Sequence, residues 1–144
     1  MSDAMLAMTR EQLAEFLATE FPQTQVTIEA VGEGVVRVRQ RIGFEHLRPG
    51  GTVSGPTLVA VADVALYLAI LAVRGPIALA VTTGLAVNFL RKPPGNADIR
   101  GDCRLLKVGR RLVVGEVLLY SDGGAEPVAQ VTGTYSLPPG DVAI

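Results

Sequence analysis

The chain of 144 residues has one cysteine, Cys103, one histidine, His46, and no tryptophan. A single cysteine cannot close an internal disulfide and offers no thiolate set for a metal, so Cys103 reads as a small core residue on a strand. Charge of either sign is also scarce in net terms. Thirteen basic residues against 14 acidic ones leave no broad positive footprint for nucleic acid, and no helix-turn-helix pattern is present. Repeats, linkers and low-complexity stretches are missing too, so residues 1–144 read as one domain. The first dozen residues hold Asp3 and a helix-capping signal in place of a basic head and apolar run. No secretory leader is expected, and the cytoplasm is the expected compartment.

What the chain does have is apolar material, 49% of residues against 19% charged, more than a lone small domain hides, which points to an oligomer. Most of it gathers between Pro49 and Val73, where Asp63 is the only charged residue. Pro56 suits a first helical turn, and from Thr57 to Val73 alanines mix with Leu, Val and Ile around the whole circumference, which predicts a helix buried on nearly every side. It is too short for a membrane span, carries an acid near its middle, and stops at Arg74-Gly75-Pro76. A carboxylate in apolar surroundings is costly unless paired or protonated, so Asp63 is the candidate chemical centre. The plainer reading is a buried acid hydrogen-bonded to backbone or to Thr82.

Before this helix, Thr9 and Gln12 fit a capping box, with Leu13, Phe16 and Leu17 at helical spacing until Phe21-Pro22, so residues 1–22 form a cover helix. Val26, Ile28 and Ala30 then alternate with polar residues. Gly32-Glu33-Gly34 turns into Val36 and Val38 against Arg37, Arg39 and Arg41, a hairpin with the arginines on a solvated face. After the helix, Leu79, Val81, Thr83, Leu85, Val87 and Phe89 mark one face of a long strand; Ala80, Thr82, Gly84, Ala86 and Asn88 mark the other. Strands beginning at Ile99, Leu112 and Val128 follow across glycine turns, and Pro138 to Ile144 reads as a frayed tail. Helix, hairpin, buried helix and four short-connected strands predict an α+β domain whose antiparallel sheet curves around one helix.

This order, with the segments GGTVSGP, ADVA, VNFLRKP, LLKVGRRL and AQVTGTYSL, resembles the hotdog-fold acyl-CoA thioesterases of the phenylacetate-degradation type. The resemblance implies a sheet wrapped round the central helix, subunits paired edge to edge into a homodimer or a tetramer of two dimers, and active sites between subunits. It implies that the Gly55 N–H polarises the thioester carbonyl, that Asp63 of the other subunit acts as base or nucleophile, and that Thr82 helps hold the attacking water. Where many relatives read His-Gly-Gly, this chain reads Ser54-Gly55-Pro56, with His46 well upstream. Ser54 either caps the helix or donates to the carbonyl, and Gly55 must otherwise act alone, helped by the helix dipole. Coenzyme A, here part of the substrate with no separate cofactor or metal, needs cations for its phosphates. Arg91 and Lys92 after the long strand, and Lys107, Arg110 and Arg111 around a hairpin turn, are the candidates, although basic residues at turns are commonly just solvated. Tyr67, one turn beyond Asp63, reads as core and as a possible wall of the acyl pocket. The implied activity is hydrolysis of a medium-chain or aryl acyl-CoA. A non-catalytic acyl-CoA binding module and, last, a hydratase using His46 are the alternatives.

Overall fold

The computed structural model describes residues 6–139; Asp3 and residues 140–144 of the expected tail lie outside them. Helix α1 (Arg10–Glu20) is capped as its sequence predicts: the Thr9 hydroxyl accepts from the Gln12 N–H at 3.2 Å and the Gln12 side chain accepts from the Thr9 N–H at 2.9 Å. The hairpin β1 (Thr27–Gly32) and β2 (Val35–Gln40) follows. A short 3-10 turn (Phe44–His46) precedes helix α2 (Gly55–Arg74), and β3 (Val81–Phe89), β4 (Ile99–Val108), β5 (Leu112–Ser121) and β6 (Ala129–Ser136) complete the chain. The six strands form one sheet in the order β1-β2-β4-β5-β6-β3, every neighbouring pair antiparallel.

Helix α2 ends where Gly75 takes a positive φ of 91°, a conformation that favours glycine. At 20 residues it is longer than the sequence reading allowed and is, by length and composition, long and apolar enough to cross a membrane, yet most of it is buried inside this fold, with every residue from Val64 to Ala72 in the core. It is the core helix. Its seat against the sheet is cut by two glycines. Gly115 on β5 and Gly133 on β6 stand directly opposite each other, and the Leu66 side chain fills the space that a methyl on either would need. A Cβ at Gly133 would also come 2.9 Å from Leu85 Cδ2. Leu66 is 1% exposed and has nowhere to retreat. Gly133→Ala is therefore expected to destabilise the fold by about 1–3 kcal/mol through overpacking, read as a lower urea midpoint with unchanged slope.

Two bulges correct the expected alternation. In β1 the register slips between Ile28 and Ala30, so Val31 packs on the core and Ala30 is exposed, the reverse of simple counting. In β3 it slips between Thr82 and Gly84. Leu85 and Val87 pack on the core while Val81 and Thr83 are exposed. Thr82, expected on the face opposite Leu85, thereby turns inward with it. The arginine face is solvent-facing, as expected, and carries ion pairs. Arg37 pairs with Asp102 at 2.8 Å, and Arg39 gathers Glu29 at 2.6 Å, Asp122 at 3.0 Å and Asp98 at 3.4 Å. These residues knit the outer sides of β1, β2 and β4 to the turn after β5, although pairs this exposed add little stability.

Candidate active site

The start of α2 is built from a short run of specialised residues. Ser54 is the N-cap: its Oγ accepts from the Thr57 N–H at 3.3 Å, and its carbonyl accepts from the Leu58 N–H, also at 3.3 Å. Pro56 has no N–H to give. The Gly55 N–H is left with no hydrogen-bond partner among the described residues, at the positive end of the helix. The Phe89 ring, at the end of β3, lies over Gly55 so closely that a Cβ there would come within 3.2 Å of it.

His46, well upstream in sequence, is folded back against this point. Its carbonyl accepts from the Ser54 N–H at 2.9 Å and the Thr57 hydroxyl at 3.3 Å, while its Nδ1 accepts from the Gly43 N–H at 2.9 Å. That last bond leaves the proton of the neutral ring on Nε2. A cleft of about 460 Å³ opens here, lined among others by Phe21, Gln40, His46, Thr57 and Ala60. Within one chain none of the hydrogen bonds of His46 reaches Asp63.

Asp63 lies two turns along the helix, half-buried. Its Oδ1 accepts from the Thr82 hydroxyl at 2.7 Å and from the Tyr135 hydroxyl at 2.7 Å; Tyr135 also lies 3.0 Å from the Asp63 carbonyl. Thr82 and Tyr135 are cross-strand partners on β3 and β6. Tyr135 is 4% exposed. Burial, reinforced by the neighbouring carboxylate, holds its phenol protonated far above the ordinary range. The sequence reading missed Tyr135, although a signal existed: it shares strand parity with Val131, which faces the core, and a buried tyrosine needs a partner for its hydroxyl. Tyr67 is a core residue, as expected, with its hydroxyl donating to the Ala78 carbonyl at 3.1 Å and its ring among Phe16, Phe21 and Tyr135. Burial pushes the Cys103 thiol up to about 12, which leaves it no nucleophilic role near neutral pH.

The two basic clusters stand apart. Arg91 and Lys92 flank the helix start, because Pro93 accepts from the Val53 N–H at 3.0 Å. Arg91 is engaged with Glu126 at 3.1 Å and the Pro127 carbonyl at 2.6 Å, whereas Lys92 is exposed. Lys107, Arg110 and Arg111 surround the β4–β5 turn, which touches the other end of α2 through a 3.2 Å bond from Arg74 to the Gly109 carbonyl. Arg111 also donates to Leu137 at 3.4 Å. Within one chain the clusters are separated by the length of a 20-residue helix, roughly 30 Å, and do not share a mouth.

Comparison with known proteins agrees with this architecture. The family model of the thioesterase superfamily matches residues 50–128. A Pseudomonas aeruginosa protein assigned as an esterase is 33% identical over 101 residues, 70% of this chain and 74% of its own. Among solved structures, an assigned thioesterase from a Silicibacter species is 47% identical with a TM-score of 0.87, covering 93% of this chain and 94% of that one. The phenylacetic acid degradation protein of Thermus thermophilus is 27% identical with a TM-score of 0.69, covering 78% and 93%. With a six-stranded antiparallel sheet curved round one buried helix, and more than half its length matched by the family model, the chain belongs to the thioesterase superfamily, the hotdog-fold thioester hydrolases.

Proposed function

We propose that the protein is an acyl-CoA thioesterase, acting in the cytoplasm on a medium-chain or aryl acyl group, with each active site shared by two subunits of a homodimer. One observation carries the reading. The unpaired Gly55 N–H and the Asp63 carboxylate lie on the same helix eight residues apart, about 12 Å along its axis, too far to act on one carbonyl from within one chain. They meet only if two chains combine.

Strand β3 supplies the means. It is the free edge of the sheet beyond β6 and a ready template for pairing, and Leu79, Val81, Phe89 and Leu90 on and around it are exposed. Thr82, bonded to Asp63, sits at one end of the strand, and Phe89, packed on Gly55, at the other. Antiparallel self-pairing about its middle, near Leu85, lays the Thr82 end of one copy beside the Phe89 end of the other and brings each Asp63 toward the partner's Gly55. The same rotation carries Arg91 and Lys92 of one chain toward Lys107, Arg110 and Arg111 of the other, because Arg111 shares the Val81 end of the sheet. Cations gathered there would receive the phosphates of coenzyme A.

In this site the Gly55 N–H and the helix dipole stabilise the oxyanion that forms on the thioester carbonyl. Asp63 either removes a proton from a water that attacks the carbonyl carbon, or attacks it to give an anhydride that water then opens. On either route the C–S bond breaks, the thiolate leaves and takes up a proton, and the free acid is released. Ser54, occupied as a cap, serves by shaping the helix start. The test is thiol release by the purified protein from a panel of aryl, medium-chain and short acyl-CoAs and matched acyl carrier protein thioesters. Turnover well above background on an aryl or medium-chain acyl-CoA supports the reading. Tight binding without turnover would make the protein a binding module, and preference for carrier protein would replace coenzyme A.

A further inference from the structure

We propose that Tyr135 is a positioning residue for the reaction: together with Thr82 it ties down Oδ1 of Asp63 and reserves Oδ2 for the chemistry. This inference rests on the reading that Asp63 acts on the thioester. A carboxylate oxygen offers about two lone-pair sites, and Oδ1 receives two hydroxyl donors, each at 2.7 Å. Oδ2 has no hydrogen-bond partner among the described residues. Hydroxyl bonds to an ionised oxygen at this distance are strong and directional, so the plane of the carboxylate is set by two groups that are themselves held.

Both anchors are rigid for identifiable reasons. Tyr135 is buried, its ring stacked on Tyr67 at 6.3 Å and 29°, so its hydroxyl has little freedom to move. Thr82 is turned inward by the β3 bulge, directly across the ladder from Tyr135. The roles follow from proton count. A hydroxyl has one proton to donate; Tyr135 keeps its own and serves as a donor, never as a base. Thr82 has committed its proton to Oδ1, so toward a water in the site it can only accept. A water bridging Oδ2 and Thr82 Oγ1 would give one proton to each and turn its lone pair to the thioester carbon.

Tyr135→Phe retains the ring and removes the donor. It is expected to lower kcat by about 10-fold to 100-fold with KM unchanged, the loss of a group that fixes reactive geometry without touching substrate. Thr82→Val should show the same kcat-only loss, and Thr82→Ser, which keeps a hydroxyl, should stay near wild type, so the proposal is tested even if the Tyr135 variant folds poorly. Wild-type kcat in a folded Tyr135→Phe, whatever Thr82→Val does, or losses confined to KM, would overturn it. Absence of hydrolysis by the wild type would instead remove the underlying thioesterase reading, a result that cannot be mistaken for the first.

Discussion

Asp63→Asn is expected to lower kcat by roughly two to four orders of magnitude, the range for loss of a general acid–base group, with KM little changed. The substitution is isosteric, and an amide oxygen can still accept from Thr82 and Tyr135, which now bond Oδ1. Packing around the middle of α2 is therefore kept, while a group able to take a proton or attack the carbonyl is lost. A second arm locates the site. Gly55→Val puts a branched side chain where a single Cβ already meets the Phe89 ring at 3.2 Å and covers the amide, so this variant should also be inactive. Subunits of the two dead variants, refolded together, would form mixed dimers in which one site carries both defects and the other neither. Random pairing makes half the dimers mixed, each with one sound site of two, so activity should return to about a quarter of wild type for an isologous pair. No recovery would place the whole site in a single chain and refute the shared arrangement.

Ala86→Asp is expected to give a monomer that has lost at least ~100-fold in kcat/KM, since a displaced catalytic group costs on that scale. Ala86 is exposed near the middle of β3, next to Leu85. In the paired edge proposed above, the two copies of this residue lie close to the two-fold axis, and like charges facing each other across strands oppose pairing. The aspartate should not disturb the isolated fold, because position 86 faces away from the core. Sedimentation velocity reports the assembly, and a thiol-release assay at the same protein concentrations reports the rate; the two should recover together as concentration rises. A monomer with full activity would contradict the reading.

The parts legible in the sequence were those fixed by local chemistry. Thr9 with Gln12, and Ser54 with Pro56, announced two helix starts, and Gly75 announced the end of the second. The apolar circumference of residues 57–73 announced a helix enclosed by sheet. Asp63 stood out because a lone acid among alanines and leucines is costly without partners. The parts not legible depended on long-range register. Counting by twos along β3 put Thr82 on the wrong side of Leu85, since a bulge adds a residue that no local signal marks. Tyr135 looked like an ordinary strand residue 72 positions from its acid. His46 seemed remote from Ser54 because the intervening Arg48–Thr52 turn, with Gly50 and Gly51 at positive φ, brings the chain back on itself. The basic clusters were visible as composition, but their placement at opposite ends of α2 became evident only in three dimensions.

The extra residue in β3 works as a phase shifter. Upstream of it, odd and even positions have one meaning; downstream they exchange it, so that Thr82 and Leu85, three apart, look the same way. Deleting one residue between them would remove the bulge and leave the two positions two apart on a regular strand, still on one face, whereas smoothing the bulge out with no deletion would rotate the Thr82 hydroxyl out toward solvent. Whether the acid has its alcohol is thus decided by arithmetic parity along an edge, a property that can be altered without changing any residue that takes part in the chemistry.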